Sequence, residues 1–191
     1  MQDNVLLIPS IIPKEFCQYL THALMRNVDV GTEHTDSQVP DSKTLLTHEL
    51  LFETLQERLW PRIENAVGEE LIPTYSYARL YVNGNKLEPH TDRPACEVSV
   101  TLQLGRSHHY SYPIYMGGKR IDLAEGDAVI YPGMDIEHWR EECNGPEEYY
   151  SGQVFMHFVK KHGNHTDEAG DKKIRDNYSY ARNRTALMES K

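Results

Sequence analysis

Tyr75-Ser76-Tyr77-Ala78-Arg79-Leu80-Tyr81-Val82 is the stretch from which the fold is read. It is aromatic-rich and alternating, and it ends at the turn Asn83-Gly84-Asn85, as a half-buried strand does. The alternation sets Tyr77, Arg79 and Tyr81 on one face. Downstream, Glu97-Val98-Ser99-Val100-Thr101-Leu102-Gln103-Leu104 alternates polar with apolar over a full strand length. Tyr112 to Met116 reads as a strand closed by Gly117-Gly118. Ile121 to Leu123 and Ala128 to Tyr131 flank the turn Glu125-Gly126-Asp127, and Gln153 to Val159 is the last apolar run.

Upstream of residue 74 the period is helical. After a short strand within residues 5–10, Pro13 suits a first helical position, and Phe16, Leu20 and Leu24 follow at four-residue spacing. Residues 27–42 lack an apolar period and are expected to form a loop. Leu51, Leu55, Leu59, Ile63 and Val67, widened by Phe52 and Trp60, predict a second helix that Pro61 should kink or divide. Many short strands with helices gathered on the N-terminal side predict a mainly β fold, a barrel or sandwich packed against a helical layer. One domain is expected over residues 1–159, with helical support in 1–72 and the β core in 73–159. Residues 160–191 read as a polar C-terminal tail or lid.

The chain has 191 residues, 39% of them hydrophobic, enough for one core with some solvated chain. Twenty Lys and Arg against 29 Asp and Glu give a net charge of −9, the wrong sign for tracking phosphates, so nucleic acid is not an expected partner. No run approaches the roughly 18 apolar residues of a membrane span, and Met1-Gln2-Asp3-Asn4 is not a basic leader. Cys17, Cys96 and Cys143 form no CxxC pair, which fits a reducing compartment. The expectation is a soluble, unsecreted, cytoplasmic protein, with the Asn-x-Ser/Thr triplets at Asn164, Asn177 and Asn183 unused. Ten histidines and twelve tyrosines direct attention to a metal or a polar pocket.

His90-Thr91-Asp92 followed by His138 supplies two imidazoles and a carboxylate, the facial set that leaves half of an Fe(II) coordination sphere open for an oxoacid and O2. The spacing alone is not decisive, because His-Thr-Asp also occurs at His34 and His165. Context separates the three. His34 lies in the polar loop and His165 in the polar tail, whereas His90 lies between two strand patterns that can fix its geometry. Gly126-Asp127-Ala128-Val129-Ile130-Tyr131-Pro132-Gly133 then enters a short buried strand and, through a Pro-Gly loop, delivers His138 to the next one.

This ordered set resembles the 2-oxoglutarate/Fe(II)-dependent oxygenases, specifically their prolyl 4-hydroxylase-like group. The likeness runs from about Tyr77 to Val159. It rests on Tyr81-x-x-Gly84, Pro89-His90-x-Asp92, the Gly126-Asp127-Ala128 segment and His138, with Phe16-Cys17-x-x-Leu20 as the family's lead-in helix. The resemblance implies a double-stranded β-helix (jelly-roll) barrel with Fe(II) held by His90, Asp92 and His138. It also implies 2-oxoglutarate as cosubstrate and O2 as oxidant, with Tyr81 lining the 2-oxoglutarate pocket. The implied reaction is hydroxylation of an unactivated C–H in an amino acid, a peptidyl residue or a small natural product, releasing succinate and CO2. Related halogenases lack the carboxylate that Asp92 provides, so the resemblance favours hydroxylation over chlorination.

One element departs from the family pattern. The Arg or Lys usually found about ten residues past the distal histidine is replaced by Pro146-Glu147-Glu148-Tyr149-Tyr150-Ser151. A buried distal carboxylate needs a cation. Arg140, two residues past His138 on the same strand face, is the first candidate, and Arg79 is the second. The alternative role of Arg140 is a surface arginine paired with Glu141 or Glu142. Ser99, Thr101 and Gln103 share a strand face and offer hydrogen bonds to a cosubstrate. Arg93 and Glu97 are placed to brace the metal loop or to touch substrate, and His157 reads as a core histidine. His108-His109 reads as solvated, and Tyr110, Tyr112 and Tyr115 as site wall or strand packing. Two other functions fit the same residues: a cupin-like metal enzyme that uses no 2-oxoglutarate, and a ligand-binding barrel without catalysis.

Overall fold

The computed structural model describes residues 5–29, 38–40, 42–45 and 50–170. The first His-Thr-Asp triplet, at His34, and most of the C-terminal tail lie outside the described residues. Ten strands and two α-helices follow one another along the described chain. They are β1 (Leu6–Ile8), α1 (Lys14–Asp29), β2 (Lys43–Leu45), α2 (Leu50–Val67), β3 (Leu71–Val82) and β4 (Leu87–His90). After these come β5 (Val98–Arg106), β6 (Ile114–Met116), β7 (Lys119–Ile121), β8 (Ala128–Tyr131), β9 (His138–Arg140) and β10 (Tyr150–Lys160). Short 3-10 turns occupy Pro94–Cys96 and Thr166–Glu168.

The strands form two antiparallel sheets. The larger has the order β1-β8-β5-β10-β3-β2, and the smaller β4-β9-β6-β7. This is the mainly β, jelly-roll-like arrangement expected, and β1 and β2 bring the N-terminal part of the chain into the larger sheet. The alternation that the sequence shows divides β5 between two environments. Val98, Val100, Leu102 and Leu104 join the core under the helices, with Leu20, Leu24, Phe52, Leu55, Leu59 and Ile63. Ser99, Thr101 and Gln103 are equally buried but face the other way, toward Asp92, Tyr131 and Ser151.

Three local readings need correction. The inward stripe of α1 is Cys17, Leu20, Thr21 and Leu24, while Phe16 is 38% exposed and stacks on Tyr19. The small Cys17 lets the helix lie close to the sheet, and Thr21 Oγ1 accepts the Gly105 N–H there at 2.7 Å. The helix also runs on to Asp29, into the segment expected to be loop. Pro61 does not divide α2, which is continuous from Leu50 to Val67. Phe52, Leu55, Leu59 and Ile63 are buried on both sides of the proline, and that packing offsets the about 3 kcal/mol that an interior proline costs. No helix among the described residues is long and apolar enough to cross a membrane.

Candidate metal centre

His90 ends β4 and His138 begins β9, and the two are direct partners across that ladder. Opposed residues in an antiparallel pair project to the same side, and the imidazole centroids lie 4.3 Å apart. Each ring has its Nδ1 against a backbone carbonyl, His90 on Glu88 at 2.8 Å and His138 on Ile136 at 2.9 Å. A carbonyl can only accept, so both Nδ1 atoms carry the proton and both Nε2 lone pairs are left to face inward. Burial lowers the His138 pKa against the pull of Asp92, which keeps that ring neutral.

Asp92 completes the set. Its Oδ1 lies 3.8 Å from His90 Nε2 and 3.6 Å from His138 Nε2. These gaps are too long for hydrogen bonds and are of the size that ligands sharing one ion leave between them. The other oxygen, Oδ2, accepts from Ser99 Oγ at 2.9 Å. The single Ser99 proton goes to the carboxylate, so His157 Nδ1, 3.0 Å away, donates to the Ser99 oxygen. Such outer contacts orient a carboxylate ligand and hold the free oxygen in place. Gly133 permits the approach. Its carbonyl accepts the Asp92 N–H at 2.8 Å, and a Cβ on it would stand 2.3 Å from Asp92 Oδ2 and 2.6 Å from the Cys96 carbonyl.

Deeper between the sheets lies a second charged group. Arg140 is 1% exposed, with its guanidinium over the faces of Tyr81 and Tyr112 at 5.1 and 5.0 Å. It donates to the Tyr112 carbonyl at 2.6 Å and to Gln153 Oε1 at 2.8 Å, while its Nε–H is buried without a partner. Gln153 in turn donates to Gln103 Oε1 at 2.9 Å, and Gln103 donates to Ser151 Oγ at 3.0 Å. The surface pairing with Glu141 or Glu142 does not occur, and Glu141 accepts from Trp139 Nε1 instead. Among the described residues no acidic side chain contacts Arg140, so a buried cation faces the interior with no described carboxylate beside it.

The remaining expected residues divide between the interior and other places. Arg79 is buried, donates to Tyr81 Oη at 3.2 Å, and is flanked by Tyr77, Tyr81 and Phe155. Thr101 Oγ1 stands 3.5 Å from Tyr131 Oη, and the Tyr131 ring meets His138 edge-on at 5.0 Å. Arg93 covers the Tyr75 ring, and Glu97 accepts the Lys160 N–H, so both brace the frame. Tyr112 lines the interior. Tyr115 instead stacks on Trp139 on the opposite face of the small sheet, and Tyr110 packs against Tyr149. His165 stands outside the groups of three ligating side chains found among the described residues.

The sequence reading missed two contributors. In the sequence Pro132-Gly133 reads as a loop, whereas in the structure Gly133 is a close approach to Asp92. Gln38, from the aperiodic segment, places its amide Nε2 2.8 Å from His90 Nε2. No periodic signal marks it.

No family model matches the chain, and no curated protein sequence matches it. Solved structures do. A Pseudomonas putida prolyl-4-hydroxylase is similar with a TM-score of 0.64 and 14% identity, over 84% of this chain and 94% of that one. HygX from Streptomyces hygroscopicus, crystallised with nickel and 2-oxoglutarate, is similar with a TM-score of 0.65 and 12% identity, over 90% and 92%. A Burkholderia pseudomallei oxidoreductase of the 2OG-Fe(II) oxygenase family gives 0.64 and 12%, over 88% and 87%. The chain therefore has the fold shared by prolyl hydroxylases and 2-oxoglutarate/Fe(II) oxygenases, with two histidines and an aspartate gathered as a possible metal site.

Proposed function

We propose that this chain is a 2-oxoglutarate- and Fe(II)-dependent dioxygenase that hydroxylates an unactivated C–H and releases succinate and CO2. The observation that carries the reading is the pairing of two unlike features in one interior. Two imidazoles and a carboxylate suit a ferrous ion, and a buried guanidinium with an unpartnered Nε–H suits a carboxylate. His90, Asp92 and His138 would hold the ion. When bound, iron and 2-oxoglutarate supply the oxidising power, the oxoacid losing CO2 as one oxygen atom goes to the substrate and the other to succinate.

The chain's own residues orient and insulate. The carbonyls of Glu88 and Ile136 fix the imidazole tautomers, and Ser99 fixes the carboxylate. Arg140 lies two residues beyond His138, about 7 Å along the strand, a span that a five-carbon dicarboxylate can bridge. Its fork suits the distal carboxylate, with Gln153 and Gln103 holding it from behind. Tyr81 and Tyr112 wall that pocket, Thr101 offers a hydroxyl, and Arg79 is the second cation of the same interior. Burial raises the Tyr131 and Tyr112 pKa values, so both remain neutral phenols.

The substrate is a prolyl or other residue in a peptide, a free amino acid, or a small natural product; a Trichoplax adhaerens prolyl hydroxylase of similar fold has been crystallised with a peptide fragment. HygX has also been crystallised with hygromycin B, which shows that the fold admits a small molecule. The test is calorimetry of 2-oxoglutarate binding to nickel-loaded protein. Arg140→Ala should weaken 2-oxoglutarate about tenfold or more, the scale of a lost charge-assisted bond, and leave nickel affinity unchanged. Unchanged 2-oxoglutarate affinity would move the role to Arg79. Metal-dependent turnover that consumes no 2-oxoglutarate would sink the reading.

A further inference from the structure

Gln38 occupies the one lone pair of His90 that a metal would need. Nδ1 of His90 is committed as a donor to the Glu88 carbonyl, so Nε2 is an acceptor with a single in-plane lone pair. The Gln38 amide donates to it at 2.8 Å. An ion and this N–H cannot share that lone pair. The same carboxamide holds its oxygen 3.5 Å from Arg79 Nη2, so the side chain spans from the candidate ligand to the buried cation beside it.

The backbone behind Gln38 is fastened. Val39 is fully buried against Tyr81, Leu87, Tyr112 and Phe155. Its carbonyl accepts from both Ser42 N–H and Ser42 Oγ, and the Pro40 carbonyl accepts from Asn85 Nδ2. Gln38 itself is exposed. The side chain can therefore swing while its segment stays in place.

We propose that Gln38 competes with the metal for the His90 lone pair. Its amide occupies His90 Nε2, and it must be displaced before His90 can take up an ion. The carboxamide stays close to the triad, anchored by Val39 and beside Arg79. This inference rests on the metal-site reading above and adds to it a competition that has a definite sign. Removing a residue that merely shapes the site would loosen the ligands and weaken metal binding. Removing a competitor strengthens it.

The experiment is calorimetric titration of nickel(II) into the full chain, without 2-oxoglutarate, for wild type, Gln38→Ala and the near-isosteric Gln38→Met. Both variants should bind nickel about two- to tenfold more tightly, the worth of one net hydrogen bond. On a His90→Ala background the Gln38 substitution should have no effect. Equal or weaker binding by both Gln38 variants, with wild-type binding dependent on His90, overturns this inference alone. No nickel binding by wild type overturns it together with the metal-site reading.

Discussion

Two copies of one tripeptide, His90-Thr91-Asp92 and His165-Thr166-Asp167, have different surroundings in this chain. The second opens a 3-10 turn, with the His165 carbonyl accepting the Glu168 N–H and the His165 side chain making no capping bond. Thr166 and Asp167 are exposed there. The first ends a strand whose partner is β9, so His138 arrives opposite His90 without any long-range adjustment. Gly133 leaves room for Asp92, and Ser99 turns the carboxylate toward the two rings. The difference teaches that a ligand motif is made by what the sheet brings to it. The tripeptide itself carries little of the information.

The contrast can be broken or sharpened by substitution. The largest effect is expected from Asp92→Ala, which should cost nickel affinity more than the about 10–100-fold typical of outer contacts and abolish turnover, while Asp167→Ala changes neither. Equal losses at both positions would remove the distinction. Next is Gly133→Ala, whose methyl would press on Asp92 Oδ2, Ser99 Oγ and the Cys96 carbonyl together. It should lower stability by about 1–3 kcal/mol in denaturant titrations and weaken metal binding as well. Ser99→Ala removes the bond to Asp92 and should reduce nickel affinity by about 10–100-fold with the fold intact by circular dichroism. Smallest is Thr166→Ala, expected within about 0.5 kcal/mol of wild type in thermal melts, as for an exposed position without special contacts.

Much of the fold was legible because strands advertise themselves by a period of two. β3 and β5 fall on runs identified from that period, and β8 and β10 on apolar runs, although β3, β5 and β10 extend beyond them and β7 lies two residues earlier than expected. The ligand set was legible because three residues of suitable chemistry fell on or beside those strands. What escaped depends on contacts between distant segments. Pro61 looks like a helix breaker until the buried stripe on both sides of it is known. Phe16 looks like a core residue until the thinner Cys17 is seen to allow closer packing. Gly133 looks like a turn glycine, and its real constraint is a carboxylate 41 positions earlier in the chain. Gln38 sits in a segment with no pattern at all, so only coordinates could pair it with His90.

β5 has a consequence for how this protein can change over time. One side of the strand is hydrocarbon under the helices; the other is the hydroxyl and amide row that ends at Asp92. Losing or gaining a single residue upstream within that strand would exchange the two sides at once, putting Gln103 among leucines and a leucine against Gln153 and Ser151. The strand therefore works as a ratchet. Its length is closed to evolutionary drift, and new specificity in this chain must come from the connections at its ends.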